Sequence, residues 1–115
     1  MIYVSFHKST RRDKKYMVKI MQKSQGSQGT QGDRVKTIHF GAVGYSDFTK
    51  HKDIERKKRY DARHRNHSRH RNHEDWTIRG VYSAGFWAKW ILWNKPSVEQ
   101  SIRDVKKRFN IKITQ

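Results

Sequence analysis

Ser83-Ala84-Gly85-Phe86-Trp87-Ala88-Lys89-Trp90-Ile91-Leu92-Trp93 is the stretch on which the fold turns. Ser83 is a good residue to cap the start of a helix. Behind it Phe86, Trp87, Trp90, Ile91, Leu92 and Trp93 put apolar side chains on nearly every face of a short helix, with Lys89 the one charged interruption. A helix that is apolar all round has no face for solvent and is buried. It needs other elements to bury it against, and the flanking sequence supplies them.

Downstream, Pro96 breaks the chain, and Ser97 with Gln100 has the spacing of a capping box. Val98, Ile102, Val105 and Phe109 then recur at helical spacing, with Arg103, Asp104, Lys106, Lys107 and Arg108 on the other side. This is the clearest amphipathic helix in the chain. Ile111 and Ile113 are compatible with a last short strand. Upstream, Ile2, Val4 and Phe6 alternate with polar residues at the period of a half-buried strand. Tyr16, Val18 and Ile20 alternate in the same way, with Met17, Lys19 and Met21 opposite, beyond a polar loop at Ser9–Lys15. Val35–Phe40 is rich in β-branched and aromatic residues, and Gly41 and Gly44 follow it as turn residues. The expected fold is α+β, a small three-stranded mainly antiparallel sheet from the first 40 residues followed by three helices. The Trp helix and the inner face of the last helix pack on that sheet.

The chain has 115 residues, which suits a single domain over 1–115. Residues 23–33 interrupt it with Ser24-Gln25-Gly26, Ser27-Gln28-Gly29 and Thr30-Gln31-Gly32. Three copies of one tripeptide without an apolar residue cannot pack a core, so a flexible loop between two strands is expected. As a phosphate loop it is weak, lacking a Lys-Ser/Thr ending and a helix pattern behind it. The apolar content of 33% is low, but the aromatic content of 12% is enough for a small core. The chain has no Cys, which excludes disulfides and Cys-type zinc sites. No apolar run reaches the roughly 20 residues of a membrane-spanning helix. The first residues lack the pattern of a signal peptide, so a secreted protein is not expected.

Lys plus Arg number 27 against 10 Asp plus Glu, a formal net charge of +17. Such a surface attracts nucleic acid, anionic membrane or acidic protein. The excess concentrates in the basic helical segment 50–73. There Lys50, Lys52, Arg56, Lys57, Lys58, Arg59, Arg63, Arg65, Arg69 and Arg71 outweigh Asp53, Glu55 and Asp61. Each Lys or Arg that neutralises a phosphate releases counterions, which drives sequence-independent, salt-sensitive binding. Arg adds a planar fork matched to phosphate or carboxylate. A charge run is more often a solvated helix face, but this one is too one-signed to be a balanced solubilising surface. The candidate polyanion contacts are Lys50, Lys52, Arg56, Lys57, Arg59, Arg63, Arg65, Arg69 and Arg71. Asp53 with Lys57, Glu55 with Arg59, and Asp61 with Arg65 stand four apart, acid first, in the favourable order for helix ion pairs. The apolar residues Phe48, Ile54, Tyr60 and Ala62 form no clean stripe, so this helix is expected to be largely solvated or covered by a partner.

His64, His67, His70 and His73 lie in a tandem Arg-His-Arg-Asn-His repeat. Steps of three drift around a helix, so at most two adjacent His share a face, and their Arg neighbours repel a cation. No metal site is expected; these His add positive charge when protonated. Of the aromatic residues, Trp87, Trp90 and Trp93 are read as core, whereas Tyr60 and Trp76, flanking the basic block, are the candidates for stacking on bases. No nucleophile elbow, Walker sequence or metalloprotease helix is present, and His51-Lys52-Asp53 lacks the spacing of the phospholipase D motif. No catalytic residue and no cofactor are expected, and the chain reads as a non-enzymatic binding protein.

Lys36-Thr37-Ile38-His39-Phe40-Gly41, Gly44-Tyr45-Ser46-Asp47-Phe48, His51-Lys52-Asp53, Glu55-Arg56-Lys57-Lys58-Arg59-Tyr60 and Arg63-His64-Arg65, with Ser83-Ala84-Gly85-Phe86-Trp87, Trp90 and Leu92-Trp93-Asn94-Lys95-Pro96, resemble a small uncharacterised basic domain family of the nucleocytoplasmic large (giant) DNA viruses, over about residues 14–109. The Ser-Gln-Gly insert and the second Arg-His-Arg-Asn-His copy depart from the pattern. The resemblance brings no catalytic residues. It implies a viral setting, in the virion or in the nucleus or cytoplasm of an infected cell. Two partners compete there. One is nucleic acid, which the charge favours. The other is an acidic viral structural protein or the internal membrane, which a minor capsid protein would cement. A continuous basic groove favours the first, and basic residues scattered among exposed aromatic patches favour the second.

Overall fold

The computed structural model describes residues 2–22, 34–64 and 75–115. The expected loop at 23–33 and all of 65–73 lie outside the described residues.

Alternation builds the first three strands. β1 (Ile2–Lys8) pairs antiparallel with β2 (Lys14–Gln22), Val4 opposite Ile20 and Phe6 opposite Val18. β2 pairs antiparallel with β3 (Arg34–Ala42), Val18 opposite Ile38 and Tyr16 opposite Phe40. This register sends Val4, Phe6, Val18, Ile20, Ile38 and Phe40 to one buried face. The fourth strand comes from the far end of the chain. β4 (Lys112–Thr114) pairs parallel with β1, Val4 opposite Ile113, and the sheet order is β3-β2-β1-β4.

The described helices are α1 (Phe48–His51), α2 (Ile54–His64), α3 (Ala84–Trp87) and α4 (Val98–Phe109). A single 3₁₀ turn at Ile78–Gly80 precedes α3. The expectation of a three-stranded, mainly antiparallel sheet followed by three helices is therefore corrected to a four-stranded mixed sheet with four helices; the α+β class stands. The fourth strand is only three residues long, with Ile113 its one buried residue, and its partner is more than a hundred residues away. Local pattern carries little trace of such a pairing. The additional helix arises because Lys52 adopts a left-handed conformation (φ 57°) that ends α1 before α2 begins.

Ser83 caps α3 by accepting from the Phe86 N–H, and α3 runs on as a π-helical turn over Ala88–Leu92. The Trp93 N–H there reaches back to the Ala88 and Lys89 carbonyls at 3.2 and 3.3 Å. Phe86, Trp87, Ile91 and Leu92 are buried against the sheet, and the Trp87 indole N–H donates to the Val81 carbonyl at 2.7 Å. Ser97 caps α4 by accepting from the Gln100 N–H, and Ile102 and Val105 complete the core. No described helix is long and apolar enough to cross a membrane.

If β4 is part of the cooperative core, Ile113→Ala lowers unfolding free energy by about 2–4 kcal/mol, as other large-to-small core changes do. The exposed neighbour Thr114→Ala stays within about 0.5 kcal/mol of the parent. Guanidinium unfolding curves measure both. Equal, near-zero effects would place the C-terminal strand outside the fold.

Candidate polyanion-binding site

α2 is a charged helix with one buried side chain, Tyr60. Its N-terminus is satisfied by the Asp53 carboxylate, which accepts from the Glu55 and Arg56 N–H groups at 3.0 and 3.3 Å. Two contacts seat the helix on the segment that follows α3. Tyr60 stacks on Trp93 with centroids 4.3 Å apart and planes 6° apart. One turn earlier on that segment, the Lys89 ammonium donates to Asp61 at 2.9 Å. Lys89 is buried, and its ammonium lies over the rings of Trp76 at 4.9 Å and Trp90 at 5.4 Å. Burial pushes its pKa down, and the Asp61 carboxylate opposes that shift.

This seating turns Arg56, Arg59 and Arg63 toward a cavity of about 600 Å³ between α2, the start of β2, the end of β3 and the α3 segment. Lys14, Lys15 and His64 also line it, and Asp47 is the one acid in its wall. Asp47 is already neutralised. It is buried at the start of α1, accepts from the Thr49 N–H and hydroxyl, and pairs with the Lys15 ammonium at 2.6 Å. Arg56, Arg59, Arg63 and Lys14 have no acidic partner among the described residues. Gly41 (φ 81°) lines the cavity in a backbone conformation that suits a residue without a side chain. A Cβ there would come within 2.8 Å of Leu92 Cδ1.

The sequence candidates separate. Arg56, Arg59 and Arg63 share the cavity. Lys57 points elsewhere, its ammonium 5.5 Å from the centre of the Phe48 ring. Lys52 holds the Thr49 carbonyl at the end of α1, and Lys50 is exposed on α1 itself. Arg65, Arg69 and Arg71 lie outside the described residues, as do His67, His70 and His73. Two of the expected ion pairs are diverted: Asp53 caps α2, and Glu55 lies 3.9 Å from Lys58 rather than meeting Arg59. Asp61 binds Lys89, and its expected partner Arg65 lies outside the described residues. Tyr60 is covered on both faces, by Trp93 and by His64 at 4.2 Å; two rings stacked that closely on one face would collide. Trp76 packs against Lys89 and accepts the Trp90 indole N–H on its carbonyl. Tyr60 is thus buried, whereas Trp76 is half-buried. The most exposed ring among the described residues is Tyr45, 75% accessible and lining the cavity, which no local pattern marks out. Among the described residues no three His, Asp or Glu side chains converge as metal ligands.

Residues 4–64, more than half of the chain, match the model of a family of unknown function, DUF5754. The chain belongs to the DUF5754 family. The DUF5754 match takes in β1, β2, β3, α1 and α2, and with them Lys14, Tyr45, Asp47 and the three arginines. It stops short of Ser83–Pro96, so the resemblance drawn from that Trp-rich stretch lies beyond the DUF5754 match. No curated protein and no solved structure matches the chain.

His51 sits between the Phe48 and Trp93 rings, beside the seat of α2. Its Nδ1 accepts from the Asp53 N–H at 2.9 Å, and its Nε2 is buried without a partner. Burial first, then the Arg56 guanidinium, holds its pKa below the ordinary 6.5, against the opposing pull of Asp53 and Asp47. Protonating Nδ1 would also break the Asp53 hydrogen bond. The unfolded chain therefore binds more protons just below pH 6.5, so stability falls as pH drops through that window. His51→Asn, which keeps an acceptor toward Asp53, is expected to lose less unfolding free energy between pH 7 and pH 5 than the parent. Denaturant curves at the two pH values check this; an identical loss in both proteins contradicts it.

Proposed function

We propose that this DUF5754 protein is a non-enzymatic polyanion-binding protein whose ligand is nucleic acid, acting in the particle of a large DNA virus or in the infected cell. The observation that carries the reading is the row Arg56, Arg59 and Arg63 along one face of α2. No acid pairs with it among the described residues, and it shares a cavity with Lys14 from the sheet. The row spans roughly 10 Å of helix axis. Three guanidinium groups that close repel one another, and an anion with regularly spaced charges relieves the repulsion. Phosphate suits them best, because each Arg fork donates to two of its oxygens. Arg56, Arg59, Arg63 and Lys14 line one concave surface, which favours nucleic acid over an acidic capsid protein.

Fluorescence anisotropy with a labelled oligonucleotide across a salt series tests the proposal. Affinity should fall linearly on a log–log plot. The exposed triple variant Arg56→Gln, Arg59→Gln, Arg63→Gln should flatten the slope by about 2–3. Absence of binding at low salt, or an unchanged slope in the triple variant, overturns the reading and leaves the acidic structural protein as the partner to pursue.

A further inference from the structure

The shape of the cavity says more than its charge. A duplex keeps its base faces stacked inside and offers a protein mainly phosphates and groove edges. A flat or convex basic surface is enough to hold it. Here the three arginines rim a hollow of about 600 Å³, within the range of a small-molecule site. Its wall combines small groups, Gly41, Ala84, Gly85 and Ala88 among them, with the larger Phe40 and Leu92, and Tyr45 also lines it. Tyr45 is 75% accessible, and its ring belongs to none of the aromatic stacks among the described residues. Its backbone is held all the same, because the Lys15 ammonium that neutralises Asp47 also donates to the Tyr45 carbonyl at 2.5 Å. An open aromatic ring on an anchored backbone, beside a row of arginines, is suited to stack on a base that has left its helix.

We infer that the cavity takes a base from a single-stranded nucleic acid, with Tyr45 as its stacking face and Arg56, Arg59 and Arg63 on the adjoining phosphates. The inference rests on the polyanion-binding reading above and specifies its ligand. It also divides the work between the residues. The arginines supply the salt-dependent part of binding, whereas Tyr45 supplies a part that salt does not screen.

The test uses the full chain, a labelled single-stranded 20-nucleotide oligonucleotide and the matching duplex, with Tyr45→Ala, Tyr45→Phe and the triple arginine variant. Tyr45→Ala removes an exposed ring and leaves the carbonyl bonded to Lys15 in place, so circular dichroism and thermal unfolding should match the parent. It is expected to weaken single-strand binding roughly 5- to 100-fold. The duplex should be affected less than twofold and the salt slope should not change, whereas Tyr45→Phe keeps single-strand affinity within about twofold. A Tyr45→Ala effect under twofold on the single strand, or one equal on both ligands, overturns the inference. If the arginine variant still flattens the salt slope in that case, the polyanion reading survives. If the parent binds neither oligonucleotide at low salt, both fall together.

Discussion

A helix with one buried side chain does not place itself, and α2 is such a helix. Its position depends on a pair of contacts to one segment: Tyr60 against Trp93, and Asp61 against Lys89. A stacked aromatic pair contributes about 0.5–1.5 kcal/mol beyond its buried area. The ion pair contributes differently. Lys89 has been taken out of water, and a buried cation is tolerated only when it is paired. The pair therefore specifies one position of α2 more than it stabilises the fold. With α2 so placed the arginine row faces the sheet; without these contacts the same residues would be an ordinary solvated face.

The bare state of that row follows from where the acids are used. Among the described residues each aspartate has a partner of its own. Asp13 pairs with Arg11, Asp47 with Lys15, Asp61 with Lys89, and Asp104 with Arg108 and the Asn94 amide. Asp53 and Asp75 are occupied with backbone N–H groups at the starts of helical turns. In a chain with 27 Lys and Arg and 10 acids, the described aspartates go to fixing geometry, and the surplus cations collect where no geometry needs them neutralised. The surplus on α2 is the part that lines a concave surface.

The same distribution explains what the sequence could and could not disclose. The first three strands were legible because Val4, Phe6, Val18, Ile20, Ile38 and Phe40 alternate, and one face of the sheet is buried. Ser83 and Ser97 were legible as helix starts because capping is local. A last short strand around Ile113 was legible too, but not its place in the sheet, because a three-residue parallel strand takes its stability from a partner distant in the chain. Two of the pairs expected on α2 are diverted for a related reason. Four-residue spacing allows an ion pair, but Asp53 is used at the helix start and Glu55 lies nearer Lys58, while Asp61 meets a buried ammonium from another segment. Tyr60 looked like a stacking platform because aromatic residues beside basic ones usually are; its partners, Trp93 and His64, are supplied by the fold. Tyr45 carries no periodic or compositional signal at all. It is marked only by exposure and by the cavity it borders.

Core and cavity are also made from shared residues. Phe40 and Leu92 belong to the buried cluster and line the cavity, and Gly41 stands between them with a backbone that only a residue lacking Cβ adopts without contact with Leu92. The π-helical turn carries Trp93, the seat of α2, out of this cluster. A site whose floor is the hydrophobic core cannot relax independently of it. Its shape is set when the protein folds, so little ordering remains for a ligand to drive, and affinity is not spent on assembling the wall. The arginine side chains at the rim are exposed and retain their rotamer freedom, so the ordering that binding requires falls on them. The division between a rigid apolar floor and a mobile cationic rim is what a ligand with a flat base and a charged backbone would meet.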